Sequence, residues 1–255
     1  MAHSFPTRRS SDLIGVDLGW YGKPSGLASI YLADTELDVR HVTRLQDADE
    51  ILHWIECEAG SNTAVVAVDA PLVIPNSTGI RPAERELNAT FRRYHAGCHA
   101  ANLGRPFASH VTSFSRRLEE LGFRHGADMP ARASGHFQIE VHPHAASVKL
   151  FGLDRIVKYK RGLRADRASE LSRLRDLMLA RLPHLDPPLS LRLPQVPQAG
   201  NLKPVEDQID AVLCAYIAAH WWFWGLARNC VYGTAASGYI VVPQLPVSER
   251  NSPSS

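Results

Sequence analysis

TAVVAVDAP, residues 63–71, carries no charge until its seventh residue, Asp69. β-Branched and small apolar residues follow one another, so both faces of a strand here are apolar. That is what a central strand of a parallel sheet needs, because helices cover it on both sides. Pro71, lacking an N–H, ends it. On its N-terminal side, DADEILHWIECEAG (47–60) predicts an amphipathic helix, with Ile51, Leu52 and Ile55 on one face and Gly60 as the stop. Further back, LIGVDL (13–18) reads as a short buried strand. GLASIYLA (26–33) and LDVRHVTRL (37–45) read as two more strands in a meander, entered through a Gly-containing turn at Gly19–Gly26.

On the C-terminal side the pattern predicts a helix over 81–95 and an irregular region over 96–134. HFQIEVHP (136–143) is a strand. Residues 164–182 form a basic helix with Leu171, Leu174, Leu177 and Met178 inward, and 183–204 are a Pro-rich connection. A long helix over 203–224 has Pro204 in its first turn, and 230–233 with 238–243 form a closing hairpin. Three strands, a helix, a strand, an insertion, a strand and helices give an α/β class: a ribonuclease H-like mixed sheet, a three-strand meander plus parallel strands, flanked by helices. The expected division is one domain over 14–243 with a helical and irregular insertion at about 76–134, and a flexible tail over 244–255. Residues 3–13, HSFPTRRSSDL, resemble the translation of a DNA-sequencing adapter. Residues 1–13 are therefore expected to be a disordered assembly scar, outside the fold.

Composition narrows the classes. The 255 residues are 45% hydrophobic and 21% charged, which excludes disorder in bulk. A net charge of +2 points to no nucleic acid by itself, so any basic surface must be local. Four cysteines without a C-x-x-C pair read as reduced thiols of a cytoplasmic protein. The apolar stretch Ala211–Leu226 is interrupted by His220 and too short for a membrane span, and Arg8-Arg9 is not followed by a signal-peptide core.

Five carboxylates fall where such a fold converges. Asp17 ends the first strand, Asp69 ends the central one, Glu140 lies in IEVHP, and Asp207 and Asp210 share a face of the long helix. Hard oxygen ligands of this kind suit Mg²⁺ or Mn²⁺, and two such ions can activate water and stabilise a leaving oxygen. Asp17, Asp69, Asp207 and Asp210 are the expected metal ligands, with Glu140 as an added ligand or base and His142 orienting a phosphate or shuttling a proton. Each acid also has a structural reading, as a turn residue or a partner of the helix dipole. From Asp154 to Arg181 there are nine Lys/Arg against four Asp/Glu. Lys158, Lys160, Arg161 and Arg164 are candidate phosphate contacts, and Arg105, with Arg81 and Arg85, a candidate on the substrate side. His95-x-x-x-His99 has zinc-ligand spacing, but Gly97 interrupts its helix. WWFWG (221–225) reads as core, with a homodimer surface as the alternative.

The motifs GVDLGW, VAVDAPL, ANLGRPF, IEVHPH and EDQIDAVLCAYIA, in this order, resemble the domain of unknown function 429 family, from about Ile14 to Pro243. The resemblance implies a ribonuclease H-like fold and a nuclease activity that is itself a prediction for that family. Glu140, His142 and Pro143 match the family's E-x-H-P signature. Asp207 and Asp210 resemble the D-x-x-D of the Holliday-junction resolvases in the wider superfamily, whereas Asp69 stands where many resolvases carry glutamate. The expectation is a metal-dependent nuclease acting on DNA or RNA through a two-metal acidic site. The alternatives are an ATPase or phosphotransferase relative, for which DLGWYGKPSG is a faint phosphate loop, and a non-catalytic nucleic-acid-binding module.

Overall fold

The computed structural model describes residues 11–33, 36–61 and 63–246. Strand β1 (Ser11–Asp17) is followed by β2 (Ser25–Ala33) and β3 (Glu36–Leu45), antiparallel neighbours in a meander. Helix α1 (Ala48–Ala59) is capped by Asp47, whose Oδ1 accepts from the Asp49 and Glu50 amides, and it buries Ile51, Leu52 and Ile55. It leads to β4 (Thr63–Val68), parallel to β1. The segment that follows carries α2 (Pro82–Phe91), α3 (Ala108–Glu120) and the two-residue β5 (Arg124–His125). Then come β6 (His136–Glu140), α4 (Pro143–Phe151), α5 (Arg164–Arg181), β7 (Leu189–Ser190), α6 (Lys203–Trp224), β8 (Asn229–Thr234) and β9 (Gly238–Pro243).

The sheet has seven strands in the order β5-β6-β4-β1-β2-β3-β7, parallel except at the meander. This mixed α/β arrangement is compatible with a ribonuclease H-like fold. One face packs on α5 and α6 through Leu13, Val65, Ala67 and Ile139. The other packs on α1 and α3 through Ile14, Val16, Val66 and Val68. Hairpin β8–β9 lies apart and joins the main sheet region by a bridge between Val141 and Val241.

Helix α6 is the centre of the molecule. It is long and apolar enough to cross a membrane by composition, but 83% of its apolar window is covered by the rest of the fold. It approaches the sheet at backbone distance because β1 and β2 carry glycines beneath it. A Cβ on Gly15 would lie 2.0 Å from the Ala211 carbonyl oxygen, and one on Gly26 would lie 1.9 Å from that of Asp207. The aromatic end of α6 is used internally: the indoles of Trp221, Trp222 and Trp224 donate to the carbonyls of Gly126, Ala133 and Asp186. In WWFWG, Trp221 and Trp222 are buried in the core.

Several expectations change. The scar boundary at residue 13 falls inside β1: Ser11, Asp12 and Leu13 are buried strand residues, and Asp12 pairs with Arg40 at 3.1 Å. Residues 1–10, the rest of the expected scar, lie outside the described residues. The tail is not loose at its start, since the Gln244 amide donates to the Arg228 carbonyl and Leu245 is buried; 247–255 lie outside the described residues. The irregular region over 96–134 contains α3, whose Val111, Phe114 and Leu118 repeat at helical spacing and face the core. The helix expected over 81–95 stops at Phe91, and His95 adopts a left-handed conformation with φ 61°, so the zinc-like spacing is not on a helix.

Candidate active site

Strands β1, β4 and β6 run parallel, and their carboxyl ends open on a cleft of about 850 Å³. Ligands of open α/β sheets bind at this position, beyond the carboxyl ends of the strands. Register decides which acids meet there. Val16 pairs with Val68, and Val68 with Glu140. One step on, the row is Asp17, Asp69 and Val141, tied by the Asp69 amide donating to Val16 and the Val141 amide to Val68. Side chains alternate faces along a strand. Asp17 and Asp69 therefore lie together on the α6 face, and Glu140 points to the opposite one.

There Glu140 has its own partners. Arg81 Nη2 contacts Glu140 Oε1 at 2.5 Å, Arg81 Nη1 reaches Oε2 at 3.0 Å, and the Leu72 amide donates to Oε2. Arg81 also binds Glu84 and the Val73 carbonyl, and is 1% exposed. Burial pushes the Glu140 carboxyl up and the neighbouring guanidinium works against it. Glu140 also lines the cleft, with both of its oxygens engaged by Arg81 and the Leu72 amide.

On the other face, Asp17 and Asp69 interact with Asp210 from α6. Asp210 is itself taken: Tyr159 Oη donates to its Oδ1 at 2.7 Å, and Lys160 Nζ lies 2.9 Å from its Oδ2. Asp207 is turned to Arg44 at 2.7 Å and Lys203 at 2.6 Å. Lys203 also contacts Glu206 at 2.9 Å and Asp17 at 4.0 Å. The D-x-x-D of α6 thus faces the site as expected, but ammonium and guanidinium groups occupy its oxygens. Among the described residues no three His, Cys, Asp or Glu side chains are grouped to hold a metal ion. A four-carboxylate cage for two ions does not fit this arrangement. Asp17 and Asp69 do fit a single hard cation, since Mg²⁺ commonly takes one or two carboxylates and completes its shell with water and substrate phosphate.

Burial, then repulsion from Asp210, raises the Asp69 carboxyl from 3.8 to about 6, against Lys160 and Lys203. Burial lifts Asp17 too, against Lys160, with Asp210 and Asp69 adding to the rise. Burial alone would discharge Lys160, but Asp210, Tyr159, Asp17 and Asp69 hold it charged. Because the folded pKa of Asp69 lies above its unfolded value, the folded chain keeps a proton the unfolded chain has lost between about pH 4 and 6. Stability falls as pH rises through that window. In chelator, Asp69→Asn should therefore be about 1–2 kcal/mol more stable than wild type at pH 7.5, below the full ~3 kcal/mol because the side chain keeps some water. The gain should vanish below pH 4. Urea unfolding at both pH values measures it, and no gain at pH 7.5 would contradict this account.

His142 lines the cleft, but its Nε2 is buried without a partner, and burial followed by the Lys160 charge pushes its pKa to about 4. Its imidazole is therefore held in the neutral form. Lys158, Lys160 and Arg161 line the cleft as expected of phosphate contacts. Arg164 does not: it donates to the carbonyls of Pro197, Gln198 and Gly200 and pins the Pro-rich connection. Arg105 is exposed and outside the residues lining the cleft. Cys98 lines the cleft, with burial pushing its thiol up to about 12, so it is no nucleophile. Lys203 and Tyr159 were not anticipated. The i,i+4 spacing of Lys203 and Asp207 was visible, but it reads equally as a surface pair.

The sequence profile of DUF429, described as a protein of unknown function, matches residues 15–235. The chain belongs to the DUF429 family. No curated protein matches it. In this DUF429 member the match covers Asp17, Asp69, Glu84, Glu140 and Asp207, the acids that line the cleft.

Proposed function

We propose that this DUF429 chain is a nuclease that uses one divalent cation, Mg²⁺ or Mn²⁺, at Asp17 and Asp69. The observation that carries the reading is the pairing, in one sheet row, of a buried and a partly buried carboxylate, Asp17 and Asp69, with the partly buried Lys160, in a cleft rimmed by Lys23, Lys158 and Arg161. When bound, the ion supplies Lewis acidity toward a phosphoryl oxygen. Lys160, fixed by Asp210 and Tyr159, places a positive charge beside the same phosphate without having to reorganise. The rim cations hold flanking phosphates. Phosphodiester hydrolysis needs little else from the protein than positioning and this electrostatic support.

Purified protein incubated with Mg²⁺ or Mn²⁺ and a panel of DNA and RNA substrates tests the reading. Cleavage should require the ion and should drop by about 10-fold or more in Asp17→Asn, the scale for disturbing a metal site. Cleavage unchanged in Asp17→Asn overturns it. Absence of cleavage with retained oligonucleotide binding would leave a binding module, in which the acids only hold lysines.

A further inference from the structure

The turn between β1 and β2 lines the cleft, and the reaction above uses only its Lys23. Trp20 and Tyr21 are 38% and 57% exposed, and they follow Asp17 by three and four residues. Scattered exposed aromatics need no explanation, but these two are built into place. Tyr21 sits in the left-handed region at φ 59°, ψ 40°, a conformation that costs a non-glycine residue energy. The turn is closed by the Gly19 amide donating to Ser25 Oγ at 2.9 Å and the Lys23 amide to the Trp20 carbonyl. A Cβ on Gly19 would lie 1.9 Å from the Lys23 carbonyl oxygen, so the loop has little room to relax. The Trp20 ring is propped from behind by Phe107 of the insertion, with centroids 4.3 Å apart. Trp20, Phe107 and Lys23 line the same cleft as Asp17 and Asp69.

We infer that Trp20, flanked by Tyr21, is a stacking platform for an unpaired nucleobase, and that the substrate enters the cleft as a single strand. Aromatic faces beside cations are how proteins hold single-stranded nucleic acid without reading its sequence. The cations Lys23, Lys158, Lys160 and Arg161 favour a polyanion over a neutral sugar as the stacked partner. A cleft of about 850 Å³ has the size of a site for one small molecule, which suits a nucleotide or two and not a duplex. The inference rests on the nuclease reading only for placing the adjoining phosphate at Asp17 and Asp69.

The test is fluorescence anisotropy in chelator. The probes are a short dye-labelled single strand, as DNA and as RNA, its duplex, and an abasic strand of equal length. The single strand should bind about tenfold more tightly than the duplex or the abasic strand, and Trp20→Ala should remove about tenfold of that, the loss of one base–aromatic stack. Trp20→Phe, which keeps a ring, should stay within about threefold of wild type. Duplex or abasic strand bound as tightly as the single strand, unchanged binding in Trp20→Ala, or no measurable single-strand binding by wild type would each overturn the inference. Binding is read without a divalent ion, so failure to cleave would sink the nuclease reading while leaving the platform intact. Cleavage with equal affinity for abasic strands would do the reverse.

Discussion

Replacing Arg81 by Ala should lower the unfolding free energy by about 3–5 kcal/mol, the cost of removing one partner from a buried ion pair. Arg81 is 1% exposed and its guanidinium serves Glu84, Glu140 and the Val73 carbonyl together. Without it, two carboxylates remain close together inside the protein with no cation between them. The Glu140 carboxyl, already pushed up by burial, would lose the guanidinium that works against that rise and would go higher still. The loss should be largest above neutral pH and shrink as pH falls toward 5. Urea unfolding of Arg81→Ala across pH measures this. Adding Glu84→Gln and Glu140→Gln should return much of the stability, because the uncompensated charges are gone. A loss below about 1 kcal/mol for Arg81→Ala, the level of an exposed pair, would show that the cluster is not a buried ion network.

Gly15→Ala should cost about 3 kcal/mol or more, at or beyond the upper end of overpacking effects. The new methyl would meet the Ala211 carbonyl at 2.0 Å and the Ala215 amide nitrogen at 2.2 Å. Both are backbone atoms of α6, which have no rotamer to escape into. The helix must lift from β1, taking Asp207 and Asp210 with it and breaking the core on that side of the sheet. Chemical denaturation should show the shift. Gly104→Ala, whose nearest neighbours are the Asn102 side chain at 3.2 Å and the Ser77 carbonyl oxygen at 3.4 Å, should stay within about 1 kcal/mol. Similar losses for both glycines would mean that backbone freedom, and not the approach of α6, is what Gly15 provides.

The elements read best from sequence were those whose pattern is local. The capped stripe of α1 and the meander of β2 and β3 emerge within a residue or two of their expected bounds, and the uncharged β-branched run of β4 starts where expected and ends three residues early, at Val68. Helix α4 was missed because seven of its nine residues are buried, so its sequence has no polar face to give a period. Strands β5 and β7 are two residues long and exist through pairing with β6 and β3, which no local signal encodes. At the site, Asp17 and Asp69 were legible as polar ends of apolar strands. Glu140 was grouped with them through its motif, while only the register of β4 against β6 reveals its face. Lys160 was read only as a candidate phosphate contact because it lies in a basic stretch. Its pairing with Asp210 depends on α6, far along the chain.

That register has a consequence for anyone redesigning the protein. The row that carries Asp17 and Asp69 continues into Val141, a buried apolar residue bridged to Val241. The sheet offers three adjacent slots at its carboxyl edge, and two hold an acid. The third is closed by hairpin β8–β9, so the number of acids presented by strands is set by a packing element with no charge of its own. Adding a third strand-borne acid to this cleft would begin at that hairpin, not at the acids.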